Sequence, residues 1–382
     1  MINIENISIL VVDDTRSMLL TIEKMLENLK IGKNVWFAEN GKEGLEILNT
    51  VKCDIALLDW NMPVMNGIEM LEKIRNDKAL RDLPVIIVTA ETDQDSVLQA
   101  VKMEIDGYLV KPLTLTSLEE KIKAVVEKVN HPDLATQQRL MARNLEEKGE
   151  YETAIEHIKT ALIHNPASSR LLRRLGLLHF KINKDAIAEK CLLKAASLNE
   201  YDTITRVILA DYYINHNELE KAGKYYLEIL SLSTQYHDQA MALARRLLIN
   251  GYRQMSVDIF SKLVIHSDKQ NDLRQTVIDF CITHNELEYA QVLLEKSFKE
   301  NPSNYDVLYK IGMICQLMAD WGKALKCFLE IDRHLKNHLE TKLQIAKIYY
   351  RIGKILIAED YLDQILGINP ENQEAIALRK KL

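Results

Sequence analysis

The feature that most constrains the fold is a 34-residue repeat in the second part of the chain. Small side chains recur at this step, at Ala154, Ala188, Ala222, Ser256, Ala290, Ala324 and Ala358. A second such register, twelve residues earlier, reads Ala142, Gly176, Ala210, Ala244, Ile278, Gly312 and Ala346. Bulkier apolar residues keep the same step at Ile158, Leu192, Tyr226, Phe260, Leu294, Phe328 and Leu362. Small residues allow two helices to cross closely while a bulky residue fills the adjoining hole. The pattern therefore predicts pairs of helices.

We predict that residues 134–382 form an all-α superhelix, because one helix pair cannot bury its apolar face alone and must stack on its neighbours. The predicted repeats number seven, without insertion, and a capping helix follows them at the C-terminal end. They span residues 135–168, 169–202, 203–236, 237–270, 271–304, 305–338 and 339–372. Prolines close three of them in one register, at Pro166, Pro302 and Pro370.

The first 130 residues follow a different pattern, in which short apolar runs alternate with helical segments. Polar residues end four of these runs: Asp13 and Asp14 follow 9–12, Asp59 ends 54–59, Thr89 follows 85–88, and Lys111 follows 108–110. Such runs are typical of buried parallel strands. In an α/β doubly wound sheet, the carboxyl ends of the strands line one crevice. We therefore expect three carboxylates, a hydroxyl and an ammonium group to meet there.

Pro132 and Asp133 mark the boundary to the helical part.

Charge and hydropathy exclude several classes of protein. Residues 1–130 contain 15 Lys and Arg against 22 Asp and Glu, and the rest contains 34 against 33. Neither part has the concentrated basic surface that duplex binding requires, so we expect no nucleic-acid partner. Apolar runs stay shorter than the roughly 18 to 20 residues of a membrane span. The first residues also lack the pattern of a signal peptide. We therefore expect a cytoplasmic protein without membrane insertion.

The predicted crevice suits the transfer of a phosphoryl group onto an aspartate. Three carboxylates in one crevice repel each other and would not all ionise without a cation. A hard divalent ion with oxygen ligands, Mg²⁺, removes this conflict and neutralises incoming phosphoryl oxygens. We predict that Asp59 is the nucleophile, since a metal-bound carboxylate stays unprotonated at neutral pH. Lys111 is predicted to contact the phosphoryl group as a point charge.

Residues 1–130 resemble a bacterial response-regulator receiver domain of the CheY-like type. The matching residues are Asp13, Asp14, Asp59, Thr89, Tyr108 and Lys111 with Pro112, and the stretch from Asp59 to Pro63 with Thr89 to Glu91 is similar to single-domain chemotaxis receivers. The resemblance implies a (βα)5 fold, a histidine kinase as phosphodonor and a cis peptide bond before Pro112. It also implies the Mg²⁺ ligands: Asp14, Asp59 and the Asn61 backbone carbonyl directly, and Asp13 through a water. Asn66, where the family often has Asp, is a departure.

The same geometry predicts a switch. A phosphoryl group on Asp59 adds about two negative charges and new acceptor oxygens. Thr89 would move inward to bond one of them, and Tyr108 would fill the space that it leaves. This would change the face built by the fourth and fifth strands. Receivers of this type often pair through that face, so a homodimer is a further alternative. Asn61 and Glu91 flank the site as in receivers that hydrolyse faster.

Residues 134–382 resemble tetratricopeptide (TPR) repeats, in which the first helix of each unit lines a concave groove. The expected groove positions in the first two repeats are Arg139, Arg143, Arg170, Arg173 and Arg174. Clustered guanidiniums can hold carboxylates or phosphates in bidentate fashion. They indicate a site for an acidic peptide, or a dock for the acidic receiver itself, with a solvated helix face as the plain alternative. A second such patch contains Tyr309, Lys310, Lys347, Tyr350 and Arg351.

Both parts together resemble response regulators whose output domain is a repeat superhelix. The leading hypothesis is a two-component switch, in which a histidine kinase phosphorylates Asp59 and the repeats change their affinity for a protein partner. The alternative is a phosphate sink or constitutive scaffold that modulates a shared kinase. An enzyme acting on a separate substrate is less supported, because the repeats contain no recognisable set of nucleophile, base and orienting group. We expect phosphoryl acceptance and slow self-dephosphorylation only.

Overall fold

The computed structural model describes residues 3–90, 105–265 and 270–382, and of residues 270 and 271 the backbone alone. The chain divides into two compact units, residues 1–237 and 238–382. Within the described ranges, no helix combines the length and the apolar character that a bilayer crossing needs.

The first unit begins with a parallel sheet of five strands, in the spatial order β2-β1-β3-β4-β5. The strands are β1 (Ser8–Val12), β2 (Asn34–Ala38), β3 (Ile55–Asp59), β4 (Val85–Thr89) and β5 (Gly107–Val110). β1, β3 and β4 consist largely of Val, Ile and Leu and are buried on both faces, as the inner strands of a covered parallel sheet must be. The chain order reverses at β1, whose neighbours are β2 and β3. A crevice therefore opens at the carboxyl ends of β1 and β3.

Helices cover both faces of this sheet. Among the described residues these helices are α1 (Arg16–Leu29), α2 (Gly41–Thr50), α3 (Gly67–Asn76) and α4 (Leu115–Asn130). One apolar cluster joins α1 and α4 to the sheet through residues such as Ile22, Leu57 and Val125. The other contains Leu58 and Met70 and lies on the face of α3. The predicted doubly wound α/β architecture is thus confirmed.

Helices alone make up the rest of the first unit. They are α5 (Leu134–Glu147), α6 (Tyr151–His164), α7 (Ser169–Lys181), α8 (Asp185–Leu198), α9 (Thr203–Asn215) and α10 (Leu219–Leu232). Asp133 caps α5 as predicted, because its side chain accepts a hydrogen bond from the Thr136 backbone N–H at 2.7 Å. Three residues, 131–133, therefore separate α4 from the first helix of the helical part.

The second unit is helical in its described residues. Its helices are α11 (His237–Ile249), α12 (Arg253–Ile265), α13 (Gln270–Thr283), α14 (Leu287–Glu300), α15 (Tyr305–Leu317), α16 (Trp321–His334), α17 (Leu339–Arg351), α18 (Ile355–Ile368) and α19 (Gln373–Arg379). The all-helical class predicted for the second part of the chain is confirmed. Its assignment to tetratricopeptide repeats stays a prediction.

Close helix crossings explain the small residues of the 34-residue pattern. The seven residues from Ala154 to Ala358 in the first register are all fully buried. At Gly176 an added Cβ would lie 2.8 Å from Leu192 Cγ, and at Gly312 it would lie 2.7 Å from Phe328 Cζ. The bulky residue of the second helix therefore occupies the space that a side chain on the first helix would need.

Candidate functional site

Asp13 and Asp14 directly follow the central strand β1. The Asp13 backbone N–H donates to the carbonyl of Ala38 at 3.1 Å, which extends the pairing with β2 by one residue. Its side chain is buried and accepts a hydrogen bond from the Thr15 N–H at 2.9 Å. Asp14 is exposed to solvent. The carboxylate of Asp13 therefore lies inside the crevice, and that of Asp14 lies at its solvent-exposed edge.

Asp59 is the last residue of β3, and only 6% of it is exposed. The chain leaves the strand through Trp60, whose N–H donates to the Val88 carbonyl at 3.0 Å. It then returns so closely that a Cβ on Gly67 would lie 2.1 Å from the Asp59 carbonyl oxygen. Gly67 thus allows α3 to begin against the backbone of Asp59. The sequence interpretation did not use this glycine, although its place at the head of a helix was a signal.

Lys111 follows β5 and joins two of the three carboxylates. Its Nζ lies 2.7 Å from Asp13 Oδ2 and 2.8 Å from Asp59 Oδ1. The peptide bond to Pro112 is cis, as expected. Burial raises the pKa of Asp59, against the hydrogen bond and the charge of Lys111, which lower it. Burial works against the charge of Lys111, but its hydrogen bonds to Asp13 and Asp59 leave the lysine pKa raised. Lys111 is therefore a cation at neutral pH.

The three aspartates fit a divalent metal ion. One carboxylate oxygen from each of Asp13, Asp14 and Asp59 lies within 4.8 Å of the other two. Only oxygen donors are present in this group, which is the set that a hard cation such as Mg²⁺ prefers. Asn61, the fourth predicted ligand, follows β3 on the exposed side of the crevice.

The two predicted switch residues lie on the neighbouring strands. Thr89 ends β4 and is buried, and it pairs with Val110 of β5 in the sheet. Tyr108 is partly buried and packs against the apolar cluster on the α3 side. The two residues thus lie on paired neighbouring strands. The inward movement of Thr89, with Tyr108 filling the space that it leaves, stays a prediction. Glu91 lies outside the described residues.

Asn66 takes over the role of a helix cap. Its side chain accepts a hydrogen bond from the Glu69 N–H at 2.9 Å, and the Glu69 carboxylate accepts from the Asn66 N–H at 3.2 Å. This reciprocal pair is a capping box at the start of α3. An aspartate could cap in the same way, so the departure from the receiver pattern leaves the local geometry intact.

Three of the predicted groove arginines bind a receiver residue. Asp82, in the loop between α3 and β4, forms ion pairs with Arg139 and with Arg143, whose Nη1 lies 2.7 Å from Asp82 Oδ2. Arg170 Nη2 lies 3.0 Å from Asp82 Oδ1 and also donates to the Arg81 carbonyl at 2.6 Å. Of the two occupants that the sequence suggested, an acidic peptide or the receiver, the receiver is the one in contact here.

Arg173 and Arg174 differ from that arrangement. Arg173 was expected to line the groove, but it is buried and pairs with Asp202 at 2.6 Å, between α7 and the start of α9. Arg170 and Arg174, four residues apart, lie on the same side of α7. Arg173 is turned toward Asp202 instead. Arg174 forms an ion pair with Glu146 of α5. Arg173 therefore joins helices, and Arg174 borders the receiver contact.

α3 itself also contacts the helical part of the first unit. Thr234, after α10, donates to the Glu69 carboxylate at 3.2 Å. Glu72 is buried, and it takes hydrogen bonds from the side chains of Thr203 and Ser233. Burial raises the pKa of Glu72 to about 7, and the nearby charges of Glu69 and Asp202 add to this effect against those hydrogen bonds. The sequence interpretation missed Glu72, because nothing in its neighbours shows that it is buried.

The second predicted patch is partly used by the helices of the second unit. Tyr309 packs on Phe328 and accepts a weak hydrogen bond from Gln344. Lys347 pairs with Glu374 at 2.7 Å. Arg351 lies over the ring of Trp321 at 5.8 Å. These contacts join helices that are one or two apart in the chain, so they favour the structural interpretation of this patch.

Comparison with known proteins is consistent with this geometry. A family model described as the response regulator receiver domain matches residues 9–123. Chemotaxis protein CheY of Pseudomonas aeruginosa is 40% identical over 122 residues, which are 32% of this chain and 98% of that protein. Chemotaxis protein CheY-3 of Vibrio cholerae is 36% identical over 125 residues, 33% of this chain and 95% of that protein. The solved structure of Vibrio cholerae CheY4 shares 28% identity, covers 31% of this chain and 98% of that chain, and has a TM-score of 0.30.

Proposed function

This chain belongs to the response-regulator receiver family, and we propose that it accepts a phosphoryl group on Asp59 from a histidine kinase and passes the signal on by protein binding through its helical repeats. The observation that carries the first step is the meeting of Asp59 with Lys111 at 2.8 Å, beside two further carboxylates. The observation that carries the second is the contact of the receiver with the arginines of α5 and α7.

Asp59 acts as the nucleophile of the transfer. One of its carboxylate oxygens attacks the phosphorus of the donor phosphohistidine, a P–O bond forms, the P–N bond breaks, and the imidazole leaves and takes up a proton. Lys111 opposes the effect of burial on the pKa of Asp59 and so favours the ionised nucleophile. Its Nζ then contacts the phosphoryl oxygens that arrive at the same carboxylate. A bound Mg²⁺, held by Asp13, Asp14, Asp59 and the Asn61 carbonyl, would offset the negative charge of the phosphoryl group.

α3 connects the acceptor to the helical repeats. Its first residue, Gly67, lies against the Asp59 backbone, and its later residues Glu69 and Glu72 contact the helical part. At its far end, Arg75 donates to the Leu83 carbonyl at 2.8 Å and thereby holds the loop that contains Asp82. A change at Asp59 that shifts α3 therefore acts on every receiver contact described above, which is the kind of two-state element that a charge switch needs.

Phosphoryl acceptance is tested with a small-molecule donor. The full chain is incubated with acetyl phosphate and Mg²⁺, and the intact mass is measured. We expect one added phosphoryl group in the wild type, its loss on treatment with hydroxylamine, and none in Asp59→Asn or after removal of divalent ions. Asp77→Asn is the matched control, because an Asn at this position still accepts from the Ala79 and Leu80 N–H groups. Equal phosphorylation of Asp59→Asn would contradict the assignment.

A second measurement separates the switch from the phosphate sink or scaffold. Hydrogen exchange of α5 and α7 is compared with and without beryllofluoride and Mg²⁺, in the wild type and in Asp59→Asn. The switch predicts faster or slower exchange in the wild type alone, because the arginine contacts lie on these two helices. Unchanged exchange in a protein that accepts the phosphoryl group would favour the sink or scaffold.

A further inference from the structure

The arginine cluster, which we define as Arg139, Arg143, Arg170 and Arg174, surrounds a single receiver carboxylate. Asp82 Oδ1 faces Arg139 and Arg170, and its Oδ2 faces Arg143. Only 12% of the Asp82 side chain is exposed. Arg170 additionally binds the carbonyl of Arg81, the residue before the aspartate. The recognised element is thus a carboxylate together with the preceding backbone carbonyl.

The guanidiniums of the cluster lie close enough to one another to lower each other's pKa. Burial, followed by the charges of Arg170, Arg75, Arg81 and Arg143, lowers the pKa of Arg139 to about 9. Burial and two neighbouring arginines also lower the pKa of Arg174 to about 9. Guanidiniums crowded in this way repel each other unless an anion is placed among them. The cluster is therefore built around a bound carboxylate.

Two features favour a protein loop over a free anion or a phosphate group. The first is the hydrogen bond to the Arg81 carbonyl, which a free anion cannot supply. The second is the position of Glu146 and Glu147, which pair with Arg174 and Arg143 at the edge of the cluster. A dianionic phosphate would lie close to these two carboxylates, whereas a single carboxylate carries half the charge.

The internal contact is also suited to exchange. Glu72, at the same interface of the first unit, is buried with a raised pKa, and its Oε2 has no hydrogen-bond partner. The hydrogen bond from Thr234 to Glu69 is exposed. A buried carboxylate that is only partly hydrogen-bonded disfavours the docked arrangement. Of the receiver contacts described, the burial of Glu72 thus opposes docking, whereas both carboxylate oxygens of Asp82 are paired with guanidiniums.

We propose that the arginine cluster is a carboxylate-binding site of the helical repeats, that Asp82 is its internal ligand, and that the partner is a protein loop presenting an Asp side chain behind an accessible backbone carbonyl. This partner assignment rests on the proposed output by protein binding. The receiver loop and the partner loop would then compete for the same guanidiniums, and release of the receiver would make the site available.

The test measures binding of a labelled peptide copying residues 78–84 to the full chain by fluorescence anisotropy. Asp82→Ala removes the internal ligand, so we expect the peptide to bind this variant at least tenfold more tightly than the wild type. A peptide with Asp82→Asn should bind at least tenfold more weakly. In the Asp82→Ala background, Arg143→Gln should abolish binding. Arg333→Gln, an exposed arginine paired with Glu330 in the second unit, is the matched control and should leave binding unchanged.

Other results would overturn the proposal. These are equal or no binding to the wild type and to Asp82→Ala, equal binding of the Asn peptide, and displacement of the peptide by inorganic phosphate at equimolar concentration. Circular dichroism and thermal unfolding establish that Asp82→Ala folds, and Asp82→Asn, which keeps the size of the side chain, serves in its place otherwise. The assay uses no phosphoryl donor, so failure of phosphorylation at Asp59 leaves this result standing, and the reverse also holds.

Discussion

Arg143 binds Asp82 across 61 residues of sequence, with Nη1 and Oδ2 2.7 Å apart. This pair joins the first helix after the receiver to the loop between α3 and β4 of the sheet. The contact lies on the α3 side of the receiver, and not on the face of the fourth and fifth strands where the switch of Thr89 and Tyr108 is predicted. We therefore propose that a change at Asp59 also acts through α3, because this helix begins at the backbone of Asp59.

Asp59→Asn is expected to stabilise the protein when divalent ions are removed. Burial raises the pKa of Asp59 in the folded protein. Protonated Asp59 therefore contributes its full stability at a pH below the pKa of the unfolded chain. This contribution is lost as the pH rises through the pKa of the folded protein. At pH 7 the buried carboxylate therefore lowers the stability of the folded protein, and Asn removes this effect. Thermal unfolding in a chelator measures it. An unchanged or lower Tm would show that the pairing with Lys111 outweighs burial.

Glu72→Gln is expected to remove a pH dependence between pH 5 and 8. The pKa of Glu72 is raised to about 7 in the folded protein, above its ordinary 4.5. Its contribution to stability is thus complete below about pH 4.5 and is lost as pH rises through 7, by about 1 to 3 kcal/mol. Urea unfolding across this range measures the slope. Glu46→Gln, which changes an exposed residue of α2, should keep the slope, and a wild type without any slope would contradict the expectation.

Gly67→Ala is expected to destabilise the receiver by about 3 kcal/mol or more. The new Cβ would lie 2.1 Å from the Asp59 carbonyl oxygen, which is part of the backbone and cannot move aside without displacing β3 or α3. Gly367→Ala is the control. It lies in α18 with open space around the added Cβ and should stabilise by about 0.5 to 1 kcal/mol. Chemical unfolding of both variants shows whether the two changes have opposite signs.

Gly312→Ala is expected to cost about 1 to 3 kcal/mol, because its Cβ would lie 2.7 Å from the ring of Phe328. Phe328→Leu removes the ring and also leaves a cavity, so by itself it should destabilise. If the two residues share one volume, the double variant is more stable than the sum of the single effects predicts. A double-mutant cycle measures this coupling, and additive effects would contradict the proposed crossing.

Most of the fold could be predicted from the 34-residue repeat of side-chain size and from the polar residues at the strand ends. The registers of Ala154 and Ile158 indicated helix pairs because close crossings restrict side-chain volume, and this restriction acts between residues near each other in sequence. Asp13, Asp59 and Lys111 were predicted to meet because parallel strands bring their carboxyl ends to one edge. Both inferences rest on local rules that hold wherever the pattern occurs.

The sequence by itself determined the sheet, the helix pairs and the residues at the crevice, because each depends on short-range patterns of side-chain size and polarity. Only the tertiary structure decided which partners the charged groups outside the crevice have. Arg143 binds Asp82, Arg173 binds Asp202, and Glu72 is buried against Thr203. These pairings depend on how the helical part lies against the receiver within the first unit. Charged side chains interact across any two surfaces that come into contact. The partner of a charged residue therefore follows from the packing of these surfaces and not from the spacing of residues in the sequence.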